Sequence, residues 1–188
     1  MKKVNVLLPT VVITALIILC GFYIFNLLYY DKIHSADLIA KDISQLVTIF
    51  QKIDNDCGII SFDYQKNPIN FLNVKEFVGS EVGPLNLAHP EKWEGPYLPD
   101  NLTMQAKEYQ IVKAKDGYYI TPGPGVQLAN GRIIDQDLIL DEDADIAAMM
   151  EDDEGFRYKG KVFAAPLLGP AGPVPAPRLA DVAGKEGA

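Results

Sequence analysis

The sequence predicts an α+β protein in which one long N-terminal helix, transmembrane and then amphipathic, packs on a small antiparallel β-meander. Three observations carry that prediction. Residues 4–30 hold no charged side chain, and residues 39–53 repeat apolar side chains at helical spacing. Asp116-Gly117 and Asn130-Gly131 punctuate β-rich runs between residues 108 and 140.

The charge-free run extends from Val4 to Tyr30. As a helix rising about 1.5 Å per residue it reaches about 40 Å, enough to cross a hydrocarbon core of about 30 Å. A cleaved signal peptide has a shorter apolar core followed by a small-x-small site; here Tyr29, Tyr30 and Asp31 follow. In "LIILCG", Cys20 stands where a lipidated cysteine would, but bulky Leu19 precedes it and the apolar run continues beyond it. Residues 1–30 therefore read as an uncleaved anchor. Lys2 and Lys3 before the span predict a cytoplasmic N-terminus and an extracytoplasmic remainder. Tyr23, Tyr29 and Tyr30 suit the outer interface, and Pro9 lies in the first turns, where a missing donor does least harm.

Beyond the span the helix continues. Ile39, Ile43, Leu46, Phe50 and Ile53 follow one another at intervals of three and four, which makes one apolar stripe. Lys41, Asp42, Gln45 and Lys52 mark the opposite face, and Asp54, Asn55 and Gly58 supply the stop. The stripe can serve packing on the chain's own domain, assembly with other copies, or both.

Formal net charge is −8, and because Lys2 and Lys3 precede the span, the part from residue 31 onward carries −10. That excludes a nucleic-acid partner and general adhesion to an anionic surface. The two cysteines, Cys20 in the span and Cys57 outside it, are too far apart in depth to pair, so the fold has no internal disulfide framework.

Residues 59–90 read as irregular structure with one short helix, opened by an Asn73–Glu76 capping box and turning Phe77, Val78 and Val82 to the core. Next comes "WEGPYLPDN", residues 93–101, which holds the only tryptophan. Two prolines forbid helix or regular strand there. Trp93 and Tyr97 offer much apolar area from few residues, and Gly95 and Pro96 shape the turn, so the loop reads as a structural joint between helix and sheet. "EYQIVKAKDGYYIT" and "VQLANGRII" then carry the two hairpin signals. Residues 135–154 hold ten acidic side chains and no basic one, ending in a short helix near Gly155. The anchor thus leads into a domain over 31–167, and the Pro/Gly/Ala-rich residues 168–188 read as a disordered tail.

The order of these features resembles the major pseudopilins of type II secretion systems, within the type IV pilin-like class. A charge-free helix runs into an amphipathic one. An irregular connection, the Gly95-Pro96-Tyr97-Leu98 loop, a small meander and Asp143-Ala144-Asp145-Ile146 follow. The resemblance covers about residues 6–150. It implies a pilin-like fold and a structural subunit of a secretion pseudopilus or pilin-like filament. Such a subunit is anchored once in the inner membrane, has a periplasmic domain, and has copies of itself or other pilin-like subunits as partners. It also implies a calcium ion in the C-terminal loop, held near Asp143 and Asp145. The chain departs from the family at its prepilin signal. The nearest match is Gly21-Phe22-Tyr23-Ile24-Phe25-Asn26, with Asn26 where the family has an assembly glutamate; cleavage there would destroy the anchor. The alternative is a bitopic cell-envelope protein whose outer domain binds a partner without forming filaments.

Catalytic patterns are missing. There is no Walker loop, Cys/His metal quartet, nucleophile elbow or His-Glu-x-x-His, and the two histidines, His34 and His89, have no readable partners. No enzyme activity or small-molecule substrate is expected. Asp141, Asp143 and Asp145 alternate as at the start of a calcium loop, but Ile146 and Asp152 at the sixth and twelfth places exclude an EF-hand. The same aspartates could instead cap the helix that follows.

Overall fold

A computed structural model describes residues 7–76, 81–169 and 172–173. Lys2, Lys3, Phe77, Val78 and most of the 168–188 tail lie outside the described residues. The fold is α+β: one long N-terminal helix with small antiparallel sheets.

Helix α1, Leu7–Cys57, is unbroken over 51 residues, about 76 Å in length. It stops where the sequence predicts. Gly58 takes a left-handed φ of 67°, its N–H donates to the Asp54 carbonyl at 2.9 Å, and the Asp54 carboxylate accepts from the Ile59 N–H at 2.8 Å. A residue with a Cβ would be strained at that φ, hence glycine.

The two halves of α1 have opposite surroundings. From Val11 to Leu27, and at Tyr29 and Tyr30, its large apolar side chains are exposed. From Ala36 onward one stripe is buried. Ile39, Ile43, Leu46, Phe50 and Ile53 are all in the core, and Ala36 and Cys57 extend the stripe by one step at each end. Lys41, Gln45 and Lys52 are exposed as expected, but Asp42 is half-buried. Its carboxylate accepts a 2.9 Å hydrogen bond from the Tyr109 hydroxyl. Asp42 stands only one residue, about 100°, from Ile43, so it borders the stripe and can reach the sheet. Burial, then the Asp42 charge, pushes the Tyr109 phenol far above its usual range, so it remains a donor.

Strands follow in the order β1 (Ile59–Phe62), β2 (Lys66–Pro68), β3 (Glu81–Val82), β4 (Leu85–Leu87), β5 (Thr103–Met104), β6 (Lys107–Glu108), β7 (Gln110–Ala114) and β8 (Gly117–Thr121). Helix α2 (Ile146–Glu151) precedes β9 (Arg157–Tyr158), β10 (Lys161–Val162), β11 (Ala165–Gly169) and β12 (Gly172–Pro173). The main sheet has the order β12-β11-β8-β7-β2, and β8 and β11 lie against α1. A smaller sheet runs β1-β4-β3.

Only part of the expected meander forms. The β7–β8 hairpin is present, but Ala114 pairs with Gly117, so its two-residue loop is Lys115-Asp116, one position earlier than the Asp-Gly signal. Asn130-Gly131 does make a tight turn, with the Gly131 N–H on the Leu128 carbonyl at 2.8 Å. Its arms share one isolated bridge, Gln127 with Ile133, and do not join the main sheet. Pro122 and Pro124 explain the failure: they remove two donors just after β8, so the next segment cannot zip onto it. The free edge of β8 is taken by β11 instead, with a ladder irregularity after Pro166. Ordered strands thus run past the boundary expected at residue 168.

The capping box at Asn73–Glu76 opens no helix over those residues, and Val82 falls in β3. Distant partners hold this backbone instead. The Leu72 N–H donates to the Asn101 side chain at 3.2 Å, and the Leu72 carbonyl accepts from the Tyr97 and Leu98 N–H groups at 2.8 and 3.2 Å.

Leu46→Ala should cost about 2–5 kcal/mol of stability, since the stripe is fully packed. Tyr109→Phe should cost about 1–3 kcal/mol by leaving the Asp42 carboxylate short of its buried donor. Lys41→Ala on the exposed face should stay within about 0.5 kcal/mol. Denaturant unfolding of the chain in micelles, followed by Trp93 fluorescence, checks all three.

Candidate functional site

Four surfaces bear on function. The first is the sleeve of exposed apolar side chains on α1. Its polar members satisfy themselves: the Thr14 hydroxyl donates to the Thr10 carbonyl and the Asn26 amide to the Phe22 carbonyl, both at 2.9 Å. The sleeve thus presents little unsatisfied polarity to a surrounding apolar phase. Cys20 is exposed within it, whereas Cys57 is buried, and burial raises its thiol pKa.

The second surface is the Trp93 loop, at the far end of α1. The Trp93 indole N–H donates to the Val74 carbonyl at 3.0 Å, and its ring meets Tyr97 edge-on at 4.8 Å. Leu98 is buried, and Asn101 donates to the Asn70 carbonyl at 2.7 Å. Lys52 of α1 pairs with Glu94 at 2.9 Å. A Cβ on Gly95 would lie 2.1 Å from the Val74 oxygen and 2.3 Å from the indole nitrogen. Trp93, Gly95, Pro96 and Tyr97 therefore tie α1 to the 69–74 segment, and the Gly95–Pro96 peptide is cis. An open hollow of about 380 Å³ beside the loop is lined by Asn55, Asp56, Glu91, Lys92, Trp93 and Glu94. His89 faces Glu91 there at 3.3 Å, while His34 is exposed near the other end.

The third surface is the acidic segment, which basic side chains tie back onto the sheet edge. Lys66 pairs with Asp135 at 2.6 Å and Lys113 with Glu142 at 3.2 Å. The Gln65 amide donates to the Leu140 carbonyl at 3.1 Å. Asp145 is the N-cap of α2, its carboxylate accepting from the Ala148 N–H at 2.9 Å. Asp141 accepts from the Asp143 N–H at 3.2 Å. Two of the three aspartates thus have a carboxylate oxygen engaged by backbone. Among the described residues, no group of three His, Cys, Asp or Glu side chains is arranged around a metal position. In this arrangement Asp145 caps α2 and Asp141 closes the turn before it.

The fourth surface has no forewarning in the sequence. The β9–β10 hairpin docks near the end of the charge-free run. Lys159 donates to the Tyr29 hydroxyl, with its ammonium 4.1 Å from the Tyr29 ring centroid, and Lys161 pairs with Asp37. Beside them a cleft of about 240 Å³ opens between α1 and two turns of the domain. Such long-range docking has no local periodicity to betray it.

Compared with protein-family models, with curated proteins and with solved structures, the chain matches none.

Gly95→Ala should destabilise the protein by about 1–3 kcal/mol or more, because the new methyl meets a fixed backbone oxygen; thermal unfolding reads this directly. Asp145→Ala should cost about 1 kcal/mol as a lost cap. A pure cap loss is the same in calcium and in chelator; a loss seen only in calcium would assign the metal site to Asp145.

Proposed function

We propose that this chain is a non-catalytic, membrane-anchored structural subunit of a filament of the type II secretion pseudopilus or type IV pilin-like kind. It crosses the inner membrane once, with its N-terminus cytoplasmic and its α+β domain periplasmic. The observation that carries the reading is the division of α1. One half is long and apolar enough to cross a membrane, and its most apolar 18-residue stretch has no residue buried within the described structure. The other half is fixed to the domain by a continuous stripe. A helix apolar all round needs lipid or neighbouring helices as its surroundings, while its rigid continuation holds a globular head at a set height. The Gly95–Leu98 loop and the acidic turn before α2 support the same reading by their order along the chain.

Asn26 favours a second reading, a bitopic envelope protein that does not polymerise. It stands where pilin-like subunits carry an assembly glutamate, and its amide is satisfied inside its own helix.

Crosslinking separates the two. Ile39 and Ile43 are buried in the chain's own core, so reporters belong on the exposed face, at Leu38 and Gln45. With Cys20→Ser removing the exposed native thiol, Leu38→Cys and Gln45→Cys in one chain should give a ladder of dimers and larger species with a thiol crosslinker in membranes. Monomer alone would overturn the filament reading and leave the bitopic one.

A further inference from the structure

We infer that the cleft at the base of the domain seats the headgroup of an aminophospholipid, with its phosphate at Lys32 and its ammonium at Asp31. The inference rests on the membrane reading above and adds a ligand to it.

The cleft is lined by Asp31, Lys32, Ser35, Gln105, Gln127 and Gly131. Its outer wall is fixed by reciprocal hydrogen bonds. The Gln105 amide donates to the Gln127 carbonyl at 2.9 Å and accepts from the Gln127 N–H at 3.0 Å. The Gln127 amide donates to the Gly131 carbonyl at 3.3 Å. The inner wall is α1, immediately after the charge-free run ends at Tyr30. Residues 31–35 rise only about 8 Å above that point. A bilayer about 40–45 Å thick around a core of about 30 Å has headgroup layers of about 5–8 Å. The charge-free run, about 40 Å long, exceeds a core of about 30 Å and fits it by tilting, which leaves Tyr30 at the core boundary and the cleft at headgroup depth.

Its charges select the headgroup. Neither Asp31 nor Lys32 makes an ion pair among the described residues. Adjacent helical residues diverge by about 100° and cannot neutralise each other. A ligand carrying a phosphate and an N–H-bearing cation a few bonds apart satisfies both. Phosphatidylcholine offers no N–H donor, and phosphatidylglycerol offers no cation. A domain with a charge of −10 from residue 31 onward also repels a purely anionic surface.

The test is hydrogen exchange on the full chain in nanodiscs. The discs contain phosphatidylcholine alone, or equal admixtures of phosphatidylethanolamine or phosphatidylglycerol. Phosphatidylethanolamine should slow exchange of amides 127–132 about tenfold, as for a ligand at ten times its Kd. Lys32→Gln and Asp31→Asn should each abolish the difference while core amides of Ile111 and Ile120 keep their protection. Equal rates in all three bilayers, or equal slowing by phosphatidylglycerol, would overturn the assignment. Slowing by free phosphoethanolamine in phosphatidylcholine discs would overturn the lipid source. Amides of residues 10–27 report separately: protected in every disc they uphold the span, and free exchange there would sink the membrane reading itself.

Discussion

The stripe on α1 is the constraint on which the rest of the protein depends. Ala36, Ile39, Ile43, Leu46, Phe50, Ile53 and Cys57 give the sheet a long apolar surface to cover. The main sheet contributes few residues per strand, and short isolated strands are marginal in water. They persist here because the helix closes one face of the core. Phe50 meets Phe71 edge-on at 6.1 Å, linking the stripe to the segment that the Trp93 loop holds in place. Tyr109 on Asp42 adds a polar fix, so that the helix can neither slide nor rotate against β7 without stranding a carboxylate.

Elements written in local periodicity were legible in the sequence. The helix, its stripe and its stop at Gly58 follow from spacing and from one residue able to adopt a left-handed φ. Even Ala36 and Cys57 continue the spacing of three and four; they escaped notice because a small residue and a thiol are weak apolar signals. The hairpin at residues 114–117 was legible too, to within one position.

Elements that depend on distant partners were not legible. Asn73–Glu76 has the residues of a helix start, but long-range hydrogen bonds to residues 93–101 held the preceding backbone in another conformation. Asn130-Gly131 made its turn and still failed to extend the sheet, since Pro122 and Pro124 had already severed the connection. The Pro/Gly/Ala-rich run from residue 168 looked too poor in large side chains to be ordered, yet the end of β11 and β12 extend into it along an edge that no local signal could announce. The base of the domain belongs to the same class: Lys159 and Tyr29 are 130 residues apart in sequence.

The absence of a break in α1 has a mechanical consequence. No proline, π-bulge or frayed turn separates the exposed half from the packed half, so the domain has no wrist. From Asp31 to Cys57 the helix forms a lever about 40 Å long, with the Trp93 loop at its tip. In a membrane, a change of about 20° in span tilt swings that tip sideways by about 14 Å. Bilayer thickness, which sets tilt, would thereby be transmitted as a lateral displacement at the outermost point of the molecule.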